Sequence, residues 1–337
     1  MRRSKGGFPM SSYDIRPFED RDLESLLETW NTVFDKDAQR GGLTREEWEW
    51  KFPKNPAGMR VWVATKDDRV VAQYAAMPHL TWLSGRETHF SEIVDSMVHP
   101  DHRGGLKRPG LFVNLAEPML DSIGGADKDM VCYGWPIPAA WRIGSRFLKY
   151  ELVRTQSLLG RELPAGATVL PDGVEEIERF DHQARWLWER CCGVWGASTI
   201  RDDVFLNWRF LDHPTRTYRV IGTRDSEGIL RGYAVVMINP WLMPGMAVIV
   251  DWLVPPEELE VGRALLQGVY AIAREGGAHG VTAILPEWSR WYDLLQLEGF
   301  LVHDFLLMLV ARPYTRKFDT LWLRSNWWTT LADSDLV

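Results

Sequence analysis

Apolar and polar positions run through this chain in two passes of one pattern. In the first, "RVWVATKDDRVVAQYAAM" sets β-rich runs on either side of a polar turn, Lys66 to Arg69, and predicts a β-hairpin. "GLFVNLAEPMLDSIGG" follows as a helical run. A short apolar strand, "DMVCYGWP", and an amphipathic helix, "AAWRIGSRFLKY", close the pass. The second pass keeps that order. Its hairpin is "YRVIGTRDSEGILRGYAVVM", turning at Arg224 to Gly228; its helix "EELEVGRALLQGVYAIAREGG" leads to the strand "GVTAILPE" and the helix "WSRWYDLLQLEGF".

The repetition reaches single residues. "TREEWEWKFPKNP" (44–56) resembles "DDVFLNWRFLDHP" (202–214), which aligns Trp50-Lys51-Phe52 with Trp208-Arg209-Phe210. "EIVDSMVHP" (92–100) parallels "VIVDWLVPP" (248–256), so Asp95 has a counterpart in Asp251 while Glu92 faces only Val248. The shared order at a nearly constant offset predicts two copies of a β-α-α-β-β-β-α-β-α-β unit. The expected organisation is a first domain at 12–157, a Gly/Pro-bearing linker at 158–173, a second domain at 174–316 and a tail at 317–337. The tail's tryptophans are expected to pack on the second copy.

Composition narrows the class. At 337 residues, 45% hydrophobic and 25% charged, the chain reads as a soluble globular protein with more than one domain. Its net charge of −7 supplies no global basic field, so neither nucleic acid nor a membrane is an expected partner. A phosphate-bearing ligand then needs a local basic site. No apolar run approaches the roughly 20 residues of a membrane span, and "MRRSKGGFPMSS" has no apolar stretch behind its basic start. Cys132, Cys191 and Cys192 make no disulfide framework, which suits a reducing cytoplasm. The 18 tryptophans are read as large packing side chains.

One stretch exceeds what a turn requires. "VHPDHRGGLKRPGLF" (98–112) puts three glycines and three cations just ahead of a helical run. A pyrophosphate is held by backbone N–H groups converging at a helix N-terminus, where the helix dipole also favours an anion. Here Arg103 to Leu111 supply such donors, Gly104, Gly105 and Gly110 the backbone freedom, and Arg103, Lys107 and Arg108 the charge. His99 and His102 lack a third ligand, so no metal is expected.

The order of elements resembles the GCN5-related N-acetyltransferase (GNAT) fold in tandem. "IRPFEDRDLESLLETWNTVF" is similar to that family's opening strand and first helix. "VDSMVHPDHRGG" is similar to its fourth strand running into the acyl-CoA pyrophosphate loop, and "YGWPIPAAWRIGSRFLKYELV" to its fifth strand and fourth helix. The resemblance implies an α+β fold, a mostly antiparallel sheet flanked by helices. It also implies acetyl-CoA or another acyl-CoA as cosubstrate, and transfer to an amine of a small molecule or peptide. Cofactor contacts are expected from Met97, Val98, Arg103, Gly104, Gly105, Lys107, Arg108, Gly110 and Leu111. The loop departs from the family pattern, because "GLKRP" separates "HRG" from "GLF" and Phe112 stands where a small residue is usual. The second copy keeps Gly262 and Ala264 but has Leu259 in the cation place, and Glu257, Glu258 and Glu260 oppose a pyrophosphate. It is expected to be structural or substrate-shaping.

In the family a carboxylate on the fourth strand commonly serves as base. Glu92 and Asp95 qualify, and three residues apart on a strand they point to opposite faces. The repeat of Asp95 marks it as structural, which leaves Glu92 as the expected base. Ser145 occupies the position of the family's tyrosine acid, so Tyr133 is the expected substitute. Two alternatives stand beside this reading. One is a non-catalytic GNAT-fold binding module. The other is a Fem-type aminoacyl-tRNA-dependent transferase, for which the chain has no basic coiled-coil arm.

Overall fold

The computed structural model describes residues 12–34, 42–104 and 109–337. The chain begins β1 (Asp14–Pro17), α1 (Leu23–Phe34), α2 (Arg45–Lys51), β2 (Arg60–Lys66), β3 (Arg69–Leu83), β4 (Arg86–Val98), α3 (Leu111–Ile123), β5 (Asp129–Gly134) and α4 (Pro138–Phe147). It continues β6 (Glu151–Glu162), β7 (Val174–Glu176), α5 (Gln183–Cys192), β8 (Ala197–Thr199), α6 (Asp203–Leu206), β9 (Arg219–Arg224), β10 (Leu230–Ile238), β11 (Met246–Leu253) and α7 (Leu259–Glu275). The last elements are β12 (Gly280–Ala283), α8 (Arg290–Leu297), β13 (Leu301–Pro313), α9 (Thr320–Asn326) and β14 (Trp327–Trp328).

Local chemistry sets these boundaries. Asp67 and Asp68 take φ of +50° and +57° in the two-residue turn between β2 and β3, a conformation that Asp tolerates better than most side chains. Thr44 caps α2 by accepting the Glu47 N–H, and Asp202, Ser289 and Asp319 cap α6, α8 and α9 in the same way.

The chain folds into two compact units, and neither is a continuous half of the sequence. The first comprises residues up to Pro78, His89–Glu151 and Val310–Arg316. The second comprises His79–Thr88, Leu152–Leu309 and Lys317–Val337. In the first unit β1, β2 and β3 run antiparallel in order, β4 lies next to β3, and β4 pairs in parallel with β5. The far edge of β5 is then covered by Val310–Pro313 of β13, antiparallel, with Val310 opposite Gly134 and Pro313 opposite Val131. The second unit repeats the scheme: β7, β9, β10 and β11 are antiparallel, and β11 is parallel to β12. Here β6 covers the free edge of β12, with Gly280 opposite Glu162 and Ala283 opposite Leu159. The segment expected as a linker at 158–173 therefore starts inside a strand. An uncovered strand edge leaves a row of unpaired N–H and C=O groups. Each unit satisfies that row with a strand from the other half of the sequence.

Side chains secure both additions. After Pro313, the Tyr314 hydroxyl donates to the Leu120 carbonyl (2.7 Å), and its ring lies where a Cβ on Gly124 would be. In the second unit the tail does pack its tryptophans: β14 pairs in parallel with β8, and Trp328 stacks on Trp195 at 4.6 Å and 6°.

Gly124→Ala drives a methyl into the Tyr314 ring. It is expected to lower stability by about 1–3 kcal/mol, the usual cost of overpacking. Thermal unfolding of this variant beside Gly125→Ala, which meets no atom closer than 3.9 Å, checks it: only Gly124→Ala should fall.

Candidate functional site

The first unit has one parallel pair, and its carboxyl ends come apart. β4 and β5 are in register from His89 opposite Asp129 to Glu92 opposite Tyr133. Beyond that rung β4 changes course: Asp95 sits at φ +48°, a left-handed conformation that breaks regular strand alternation. Two buried partners hold it there. Lys51 Nζ donates to Asp95 Oδ2 at 2.8 Å, and Gln73 Nε2 donates to the Asp95 carbonyl at 2.9 Å. Crevices outside the carboxyl ends of adjacent parallel strands are the usual ligand sites of such sheets.

A cavity of about 360 Å³ opens here. Ser96, Met97 and Val98 of β4 form one wall, with Arg103, Gly104 and Gly110 of the following loop and Leu111, Phe112 and Val113 of α3 beside them. Six of the nine residues expected to touch a cofactor thus line a single cavity: Met97, Val98, Arg103, Gly104, Gly110 and Leu111. Gly105, Lys107 and Arg108 lie outside the described residues.

The anion features are in place at its rim. Gly110 is the N-cap of the 13-residue α3 and brings no side chain to the first-turn N–H groups. The reason for glycine differs from the expected one. Gly104 and Gly110 are absent from the residues with positive φ, Gly110 taking −91°, and a Cβ at either would meet nothing within 4 Å. These positions keep space open rather than satisfy a strained turn. Arg103 folds back so that its Nε donates to the Val98 carbonyl at 2.9 Å, which fixes its stem along the strand end.

Sequence reasoning missed half of the enclosure. Val33 and Phe34 at the end of α1, and Ile137, Ala139, Ala140, Ile143 and Phe147 on or before α4, complete the lining. The apolar positions of "AAWRIGSRF" carried a usable signal, since an amphipathic helix must turn its apolar face to something. Phe112 lines the cavity and sets its ring edge-on to Tyr74 at 5.4 Å.

The expected catalytic pair is brought together but stands off this wall. Glu92 and Tyr133 are cross-strand partners on the last rung, exposed by 1% and 0%, and neither lines the cavity. Asp95 is occupied structurally, as its repeat suggested. Its counterpart Asp251 accepts from Arg201 Nε (3.2 Å), the Tyr233 hydroxyl (2.8 Å) and Thr330 Oγ1 (2.7 Å) inside the second unit. Ser145 spends its hydroxyl on the Trp141 carbonyl (2.8 Å). Burial, with a smaller push from Asp129, raises the Cys132 thiol to about 12, so it stays protonated at neutral pH. His99 Nδ1 accepts the Asp101 N–H, and His102 Nδ1 meets the Tyr13 hydroxyl at 3.0 Å. No group of three metal-capable side chains forms among the described residues, and no helix among them is long and apolar enough to cross a membrane.

Known proteins share this architecture. The family model of the Acetyltransferase (GNAT) domain matches residues 14–146. An Enterococcus faecalis protein described as a probable N-acyltransferase superposes with a TM-score of 0.64 at 15% identity, over 91% of this chain and 74% of that one. Saccharomyces cerevisiae N-myristoyltransferase with bound myristoyl-CoA gives 0.59 at 14% identity, over 91% and 84%. A GCN5-related N-acetyltransferase from Anabaena variabilis gives 0.60 at 15%, over 90% and 73%. No curated protein matches the chain. At such identities the structures share a fold, and the family match falls on the stretch that builds the cavity. Over residues 14–146 the chain matches the GNAT domain model, and over its length it shares the fold of these N-acyltransferase structures.

Proposed function

We propose that the first unit is an acyl-CoA-dependent N-acyltransferase that moves an acyl group, acetyl in the simplest case, from CoA to an amine. The observation that carries this is the cavity beside the end of β4, bounded by Arg103, Gly104 and the bare N-terminus of α3. The pyrophosphate would lie on the helix N-terminus and the loop cations, and the pantetheine arm among the apolar residues of α1, α3 and α4. Solved relatives described as N-acyltransferases, one holding myristoyl-CoA, support the donor class.

In this reading the amine nitrogen attacks the thioester carbonyl, the C–S bond breaks, and the amine's proton and the thiolate's proton must both be handled. Asp95 is held by Lys51, which leaves Glu92 as the β4 carboxylate for proton acceptance, with Tyr133 opposite it as donor to the thiolate. Holding the reactants in place supplies much of the acceleration in any case. Glu92→Gln is expected to lower kcat by roughly 10²-fold or more, and Tyr133→Phe to lower it too, with KM for acyl-CoA little changed in both. A kcat equal to the parent's would remove each residue from the reaction.

A specific feature favours one donor site per chain. In the second unit, α7 begins beyond β11 as α3 begins beyond β4, but the corresponding space is filled. The Trp291 ring of α8 lies where a Cβ on Gly262 would be, packs edge-on to Trp252 at 5.6 Å, and donates Nε1–H to the Val254 carbonyl at 3.0 Å. Val254 repeats Val98, whose carbonyl takes Arg103 in the first unit. Glu258, at the N-cap of α7, is spent on Arg231 (2.6 Å) and Arg190. Trp291→Ala should lower stability by about 3–5 kcal/mol, the cost of removing a large core side chain, while leaving CoA stoichiometry at one. Calorimetric titration of parent and variant checks both.

The deciding measurement is acetyl-CoA against thermal unfolding. At a hundred times its Kd a ligand stabilises by about 2.7 kcal/mol. The parent should shift, and Arg103→Ala and a Lys107/Arg108 double-alanine variant should shift less. An unmoved melting curve with acetyl-, malonyl- and longer acyl-CoA would replace the transferase with a non-catalytic module.

A further inference from the structure

A hollow of the second unit has no part in that proposal. Its volume is about 730 Å³, inside the 300–1,000 Å³ range of small-molecule sites. Four strands, β11, β12, β6 and β13, present one face to it through Met246, Thr282, Leu158 and Phe305, and Leu242 and Met243 lean in from the loop before β11. Glycines line part of the hollow. Gly160 and Gly280 sit mid-face, and with no Cβ they let Met246 and the His303 ring close down onto the sheet at the hollow's lining. A Cβ on Gly280 would fall 2.6 Å from Met246 Cε and 2.7 Å from the Arg161 carbonyl, and one on Gly160 would fall 3.1 Å from the His303 ring.

The polar groups around this apolar floor are unequal. Arg161 lines the hollow, but its guanidinium already donates to the Tyr270 hydroxyl (2.9 Å) and the Glu298 carbonyl. Thr282 directs its hydroxyl to Met243 Sδ at 3.1 Å. Glu162 is exposed on the rim, opposite Gly280 in register, and takes part in no ion pair among the described residues. His279 and His303 stand at the edges as exposed rings. The floor suits a hydrocarbon or aromatic body, with the two methionines adapting to its outline. The uncommitted full charge beside that floor is a carboxylate.

We infer that this hollow is a binding site for an amphipathic amine, with its apolar body on Leu158, Met243, Met246 and Phe305 and its ammonium group on Glu162. The site stands independently of acyl transfer in the first unit.

Three probes that share a phenylethyl body test it without any CoA present: 2-phenylethylamine, its isostere 2-phenylethanol, and 3-phenylpropionate, each titrated by calorimetry. The amine should bind at least roughly threefold tighter than the alcohol, the range expected for a partly exposed charge pair, and the carboxylate should bind weakest. Glu162→Gln should bring the amine down to the alcohol's affinity. Leu301→Trp, a substitution at an exposed rim position, should block all three by filling the mouth. Equal binding of amine and alcohol overturns the inference, as does amine affinity unchanged in Glu162→Gln. Preference for the carboxylate overturns it too, and reassigns the hollow to anions held by His279, His303 and Arg161.

Discussion

The buried Lys51–Asp95 pair is the constraint on which the first unit's cavity depends. A residue other than glycine in the left-handed region costs about 1–2 kcal/mol, so Asp95 stays there only if its surroundings outweigh that cost. Lys51 and Gln73 fix the carboxylate and the carbonyl respectively. Removing one member of a buried ion pair leaves an uncompensated charge and costs several kcal/mol, so this backbone shape does not relax easily. Its consequence is spatial: the β4–β5 pairing ends at the Glu92–Tyr133 rung, and beyond it a cavity opens between the end of β4 and the N-terminus of α3.

The second unit repeats the frame and withdraws the vacancy. Asp251 is again a buried acceptor and β11 again pairs in parallel with β12, but Trp291 occupies the space and takes the Val254 carbonyl. The buried indole there adds to the packed core. The reciprocal strand additions act in the same direction. With β13 completing the first unit and β6 completing the second, neither half of the sequence holds all the strands of its own unit. Stability of the cavity-bearing unit therefore draws on residues nearly two hundred positions away, such as Tyr314 on Gly124.

Much of this was legible because the signals were local. The turn at Lys66 to Arg69, the cap at Thr44, and glycines and cations ahead of a helical run each follow from a few neighbouring residues. Six of the nine expected cofactor contacts fall on one cavity for the same reason: they come from one continuous strand–loop–helix segment. The misses are long-range. Nothing in "ELVRTQSLLGRE" says that its partner is Gly280–Ala283, so its last residues, from Leu158, looked like the start of a linker. The alternation that set Glu92 and Asp95 on opposite faces assumed a regular strand, and the break at Asp95 is imposed by Lys51, 44 positions earlier.

The glycines carry the same lesson in a form that bears on function. A glycine in a sequence suggests a turn that needs positive φ, yet Gly104, Gly110, Gly160 and Gly280 adopt none. Two leave open space around the first unit's cavity, and two let neighbouring groups close onto a sheet face in the second. What they have in common is the missing Cβ, not the freed backbone. All four are cheap to replace in φ/ψ terms, but they differ in room: a Cβ at Gly104 or Gly110 meets nothing within 4 Å and would enter open space beside the cavity, whereas one at Gly280 would strike the Arg161 carbonyl at 2.7 Å and disturb the sheet itself.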